Sequence, residues 1–144
     1  VNWANSTIPT SETIPTSKTN MTKYFTIDEA NALLPRLTTL LHEMIAARER
    51  IITDRPNWEP VMDKAHTNGG GERAKKLYHD STEIQVLLAE LNEWGVFIKD
   101  LDSGLVDFPY LRDGREVFLC WRLDESRVAY WHDVDTGFAG RQPL

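Results

Sequence analysis

The repeat of apolar residues changes at Gly95, and a chain with such a break must combine two kinds of secondary structure. Upstream, apolar side chains recur at Ala30, Leu34, Leu37, Leu41, Met44 and Ile51, in alternating steps of four and three, with Arg48 occupying one place in the series. That spacing draws a single stripe along an α-helix, and Leu33, Leu40, Ile45 and Ile52 widen it. Downstream, short runs rich in β-branched and aromatic residues take over, each of strand length. Helices followed by strands predict an α+β fold.

The first helix begins at Thr26. Thr26-Ile-Asp-Glu29 fits a capping box, in which hydroxyl and carboxylate satisfy orphan backbone donors. Pro35 should either kink the helix or mark its true first turn. Residues 54–71 hold two prolines and three consecutive glycines, so they read as a long connection. A second helix is expected over 72–93, with Leu77, Ile84, Leu88 and Leu91 on one face and Val86 and Leu87 beside it. Trp94-Gly95 reads as its end. The two should pack as an antiparallel hairpin over residues 26–94.

Residues 95–144 are expected to form a small, mostly antiparallel sheet of four short strands and a C-terminal arm. Asp113-Gly114 suits a tight hairpin turn, and residues 124–126 a second turn. In the run 117–121 both alternating sets, Val117/Leu119/Trp121 and Phe118/Cys120, are apolar. A strand covered on both faces, in the middle of the sheet, has that pattern. Together, residues 23–144 read as one domain. Residues 1–22 are rich in Ser, Thr and Pro and carry the repeat Thr7-Ile-Pro-Thr-Ser then Thr13-Ile-Pro-Thr-Ser, so a disordered tail is expected, with Met21 the better start of the domain.

A net charge of -6, with the basic residues scattered among acids, argues against a phosphate-tracking surface and hence against a nucleic-acid partner. No apolar run approaches the roughly 18 residues of a membrane span, so no membrane partner is expected. The single cysteine precludes an intramolecular disulfide. With no secretory pattern, a cytoplasmic location is expected.

The costly side chains lie late in the chain. Cys120 could act as a nucleophile with His132 as its base; as a lone cysteine between Leu119 and Trp121 it equally suits a small buried hydrophobe. His132, Asp133 and Asp135, with Asp107 as a further acid, offer the donors of a divalent metal site; the bland reading is a solvated Asp turn. Gly137-Phe-Ala-Gly-Arg141 could hold a small anionic ligand through Arg141, or Arg141 could pair with an internal acid. Trp121, Tyr130 and Trp131 could wall a pocket or serve as packing. His42, His66 and His79 form no i, i+4 pair with one another. Arg48 is expected to meet a carboxylate of the second helix, such as Asp80, or to face a partner.

The order Gly104-Leu-Val-Asp-Phe-Pro109, Leu119-Cys-Trp121, Trp131-His-Asp133 and Gly137-Phe-Ala-Gly-Arg141 resembles the bacterial family catalogued as domain of unknown function 2203. The resemblance covers residues 23–144. It implies that these elements belong together and brings no activity with it. The function expected is a small intracellular binding or interaction module, oligomerising through its helices as a homodimer, with a ligand surface built from Asp107, Cys120, Trp121, Trp131, His132, Asp133 and Arg141. The alternative is an enzyme using His132 and Cys120, or a bound divalent metal, on a small anionic substrate.

Overall fold

The computed structural model describes residues 22–54 and 71–144. The expectations for the N-terminal tail and for the connection, His66 included, fall on residues outside this description. Helix α1 spans Ile27–Asp54. It starts where Glu29 N–H donates to Thr26 Oγ1 at 3.1 Å and Thr26 N–H donates to Glu29 Oε1 at 3.3 Å, the reciprocal pair of a capping box. Pro35 lies inside this helix, so it does not mark the first turn. The Thr39 hydroxyl donates to the Pro35 carbonyl at 3.2 Å. The buried stripe runs Ala30, Leu34, Leu37, Leu40, Leu41, Met44 and Ala47.

Helix α2 spans Gly71–Trp94. Its buried residues are Asp80, Leu87 and Leu91, and Ile84 packs partly against the same core. The expected face is therefore rotated: Leu88 is exposed, and Leu87 fills its place. The reason is Asp80, a carboxylate at a position of the inward stripe that a search for apolar residues passes over. Arg50, not Arg48, answers it. Arg50 Nε donates to Asp80 Oδ1 at 2.9 Å and Nη2 to Glu83 Oε2 at 2.6 Å. Arg48 instead reaches Asp102 at 2.6 Å, beyond the helices. The pairs Arg36–Glu90, Arg50–Asp80 and Asp54–Lys76 set the helices antiparallel. No described helix is long and apolar enough to cross a membrane.

Gly95 ends α2 with a positive φ of 77°. Val96 N–H donates to Leu91 O at 3.2 Å and Gly95 N–H to Asn92 O at 3.1 Å, which closes the helix and turns the chain toward the sheet. The strands are β1 Phe97–Asp100, β2 Leu105–Arg112, β3 Arg115–Arg122, β4 Tyr130–Asp133 and β5 Gln142–Pro143. They pair in sequence order, all antiparallel, with β3 central. The sheet has five strands rather than four because the C-terminal arm turns back and pairs with β4. Asp113 and Gly114, both at positive φ, form the two-residue turn between β2 and β3. Pro109 sits in β2 beyond the stretch covered by β1, where its missing N–H costs no ladder bond; its carbonyl accepts Phe25 N–H at 2.8 Å.

Alternation assigns the faces. Val106, Phe108, Val117, Leu119, Trp121 and Trp131 join the core against α1, α2 and Phe25. Asp107, Phe118, Cys120, Tyr130 and His132 point away from the helices. Val128 N–H donates to Asn31 Oδ1 at 2.8 Å, which ties the segment before β4 to α1.

Candidate functional site

Three neighbouring strands put an acid, a thiol and an imidazole on the outer face. Asp107 on β2 is paired directly across from Cys120 on β3, and His132 on β4 lies diagonal to Cys120, opposite Phe118. β2 and β4 are separated by the whole of β3, roughly two strand spacings or 10 Å. The imidazole nevertheless meets the carboxylate: His132 Nε2 is 3.0 Å from Asp107 Oδ2. The short side chain at Cys120 leaves room for that reach across the central strand. All three residues are buried. One ligand atom from each lies within 4.8 Å of the others.

The second ring nitrogen of His132, Nδ1, is 2.7 Å from the Asp133 carbonyl oxygen. A carbonyl only accepts, so Nδ1 carries a hydrogen and the ring orientation is set. Asp107 Oδ1 makes no hydrogen bond to the protein despite its burial. Burial first, and the neighbouring Asp107 carboxylate second, push the Cys120 thiol up to about 12, with Arg141 acting in the opposite direction.

The C-terminal arm closes one side. Arg141 Nη2 donates to the Cys120 carbonyl at 3.0 Å and also bonds Glu125. Its guanidinium stacks over the rings of Tyr130, at 4.2 Å, and Phe138, at 4.9 Å. Phe118 stands 5.7 Å from the His132 ring, and Lys99 lies over Phe118.

Of the expected site residues, Asp107, Cys120 and His132 converge, and Arg141 adjoins them. Trp121 and Trp131 do not: both face the helices, where Trp121 Nε1 donates to the Glu125 carbonyl at 2.9 Å and Trp131 carries Arg112 over its ring. Asp133 pairs with Arg115, and Asp135 is exposed past the end of β4. Of the expected metal donors, Asp133 and Asp135 therefore do not converge on His132, whereas the further acid Asp107 does, and Cys120 completes the group. Glu125 was not anticipated. It organises the edge of the site through Arg141, the Arg122 N–H and, by its carbonyl, Trp121. Two of these bonds are local, to the end of β3 three and four residues back; what ties Glu125 to the site is Arg141 on the distant arm, which no local pattern signals.

A helical hairpin laid on one face of a five-stranded meander, with a buried acid–imidazole–thiol trio on the other, defines an α+β protein with a polar outer-face centre. A family model for an uncharacterised conserved protein, DUF2203, matches residues 23–144, and the chain belongs to that family. No curated protein and no solved structure matches the chain.

Proposed function

We propose that the protein is a small binding module whose ligand is held at the trio of Asp107, Cys120 and His132. One observation carries the reading: the Asp107 side chain is 2% exposed, and its Oδ1 meets no N–H or O–H donor in the protein, the weak S–H donor of the neighbouring Cys120 thiol being the one other group beside the carboxylate. An unmet buried acceptor costs about 1–3 kcal/mol, and more when charged. An apolar residue at that place in β2 would avoid the cost. The helix-facing side already supplies a continuous apolar core, so a ligand is the economical account of the trio.

The enzyme reading, with His132 and Cys120 acting on a small anion held by Arg141, has less support. A thiol pushed up to about 12 keeps its proton at neutral pH, both ring nitrogens of His132 are engaged, and Glu125 already meets the charge of Arg141. Pairing of two copies through the helices is supported by the exposed Tyr78 and Val86, which stand with Thr82 at four-residue steps along α2, and by the exposed Ile52 of α1. The net charge of -6 argues against nucleic acid as a partner.

Native mass spectrometry of the protein isolated from its own host tests the reading. The expected spectrum is a dimer carrying a retained mass that disappears in an Asp107→Asn variant. A wild-type chain with nothing retained, or a retained mass indifferent to Asp107→Asn, would rule out the trio as the site.

A further inference from the structure

Building on that reading of the trio as a binding site, we infer that its ligand is a divalent first-row transition ion of borderline softness, zinc being the type case, held by the Asp107 carboxylate, Cys120 Sγ and His132 Nε2. The three donor atoms lie within 4.8 Å of one another. Around tetrahedral zinc, with bonds of about 2.0–2.3 Å, ligand atoms stand roughly 3.3–3.8 Å apart. Side-chain adjustments of about 1 Å close the difference without moving a strand.

The orientation of His132 is that of a metal ligand. Nδ1–H donates to the Asp133 carbonyl at 2.7 Å, which directs Nε2 toward the carboxylate. Metal-binding histidines are commonly held by such an outer hydrogen bond. Nε2 and Asp107 Oδ2, 3.0 Å apart, are both acceptors unless a proton or a cation sits between them. The unpartnered Oδ1 offers a second carboxylate oxygen to the same space.

Charge and donor type narrow the class. A carboxylate, a thiolate and a neutral imidazole sum to two negative charges, which a divalent ion cancels in a buried setting where net charge is costly. Loading exchanges one M²⁺ for two protons: one leaves the Cys120 thiol and one leaves the Asp107–His132 contact. The buried cluster is then neutral on both sides of the exchange. Magnesium and calcium seek six or more oxygens, and a single carboxylate with nitrogen and sulfur does not supply them. Three protein donors leave the fourth position of the complex to water.

A second cluster, His79, Asp80 and Glu83, has the same spacing, but Arg50 already satisfies both of its carboxylates. It makes a useful control.

The full chain, freed of metal with a chelator under reducing conditions, is titrated with Co(II) and then with Zn(II). One equivalent of cobalt should bind, with a thiolate-to-metal charge-transfer band and the intense visible bands of four-coordination, and zinc should displace it. Zinc should also raise the thermal midpoint. Cys120→Ser should lose the charge-transfer band and weaken binding by more than roughly tenfold, while His79→Ala should leave both unchanged. A buried substitution can unfold the chain, but Cys120 is the single cysteine, so a thiolate band in the wild-type spectrum by itself assigns that ligand. Cobalt bound without the thiolate band, no binding of either ion, or loss of binding in His79→Ala overturns the inference. If neither ion binds but a retained organic mass still depends on Asp107, the metal inference fails and the binding site stands. If neither ion nor mass depends on Asp107, both fail.

Discussion

Toward the helices, the three middle strands present Val106, Phe108, Val117, Leu119, Trp121 and Trp131; away from them, the same strands present Asp107, Phe118, Cys120, Tyr130 and His132. Both sets include fully buried side chains, but different things close them. The inner set is sealed by the volume of α1, α2 and Phe25 and needs no hydrogen bond beyond the one from the Trp121 indole. The outer set is sealed by a hydrogen-bonded acid and imidazole, an arginine stacked on two aromatic rings, and the C-terminal arm, with one carboxylate oxygen left over. Volume filling tolerates no loss of bulk. Polar closure tolerates replacement as long as no partner is stranded.

The largest expected effect is on the inner side. Trp121→Ala should destabilise the protein by about 3–5 kcal/mol, read from the urea midpoint at constant slope. A loss below ~1 kcal/mol would mean that the inner face is not the dominant core.

On the outer side, a pair of variants sharpens the contrast. Asp107→Ala alone strands the imidazole and should cost about 1–3 kcal/mol. Asp107→Leu combined with His132→Phe removes both partners and should return stability to within ~1 kcal/mol of wild type, or above it. If the double variant were as unstable as Trp121→Ala, the trio would be part of the core and the distinction between the faces would collapse.

The smallest expected effect is a pH dependence of the metal-free protein. Burial and Asp107 raise the Cys120 thiol from its ordinary 9.0 to about 12. Between those values the folded state holds a proton that the unfolded chain has released, so the stability linked to this thiol is intact below about pH 9 and declines as pH rises toward 12. Denaturation midpoints at about pH 8 and about pH 10 should fall more in wild type than in Cys120→Ala. Equal slopes would place the thiol in a far more polar setting.

Much of the fold was legible because its signals are local. The capping box at Thr26 and Glu29, the helix end at Gly95 and the turn at Asp113-Gly114 each act within a few residues, and each formed where expected. The inner face of α2 was misread at Leu88 because Asp80 holds a core position only by virtue of Arg50 on the other helix. The fifth strand was missed because residues 142–143 are too short for a pattern and exist as a strand only against β4.

The site was half legible. Cys120 and Trp121 are consecutive in one strand, as are Trp131 and His132, so alternation alone already sends each member of a pair to opposite faces. Expecting all four at one surface conflicted with that rule, and the two tryptophans lie with the helices. Asp107 was expected as a further acid beside His132, but their direct contact across β3 depends on the register of two strand pairs at once, which the sequence does not fix.

By itself, then, the order of residues determined that two helices precede the strands, where the first helix begins and the second ends, which turn joins β2 to β3, and which strand lies at the centre, because capping, turn geometry and hydrophobic period are short-range properties of the chain. Tertiary structure alone decided that Arg50 rather than Arg48 answers Asp80, that the C-terminal arm becomes a strand, and that an acid, a thiol and an imidazole from three strands share one buried space. Those outcomes depend on register and on side chains reaching across elements, and such distances are defined only once the sheet and the helical hairpin have packed.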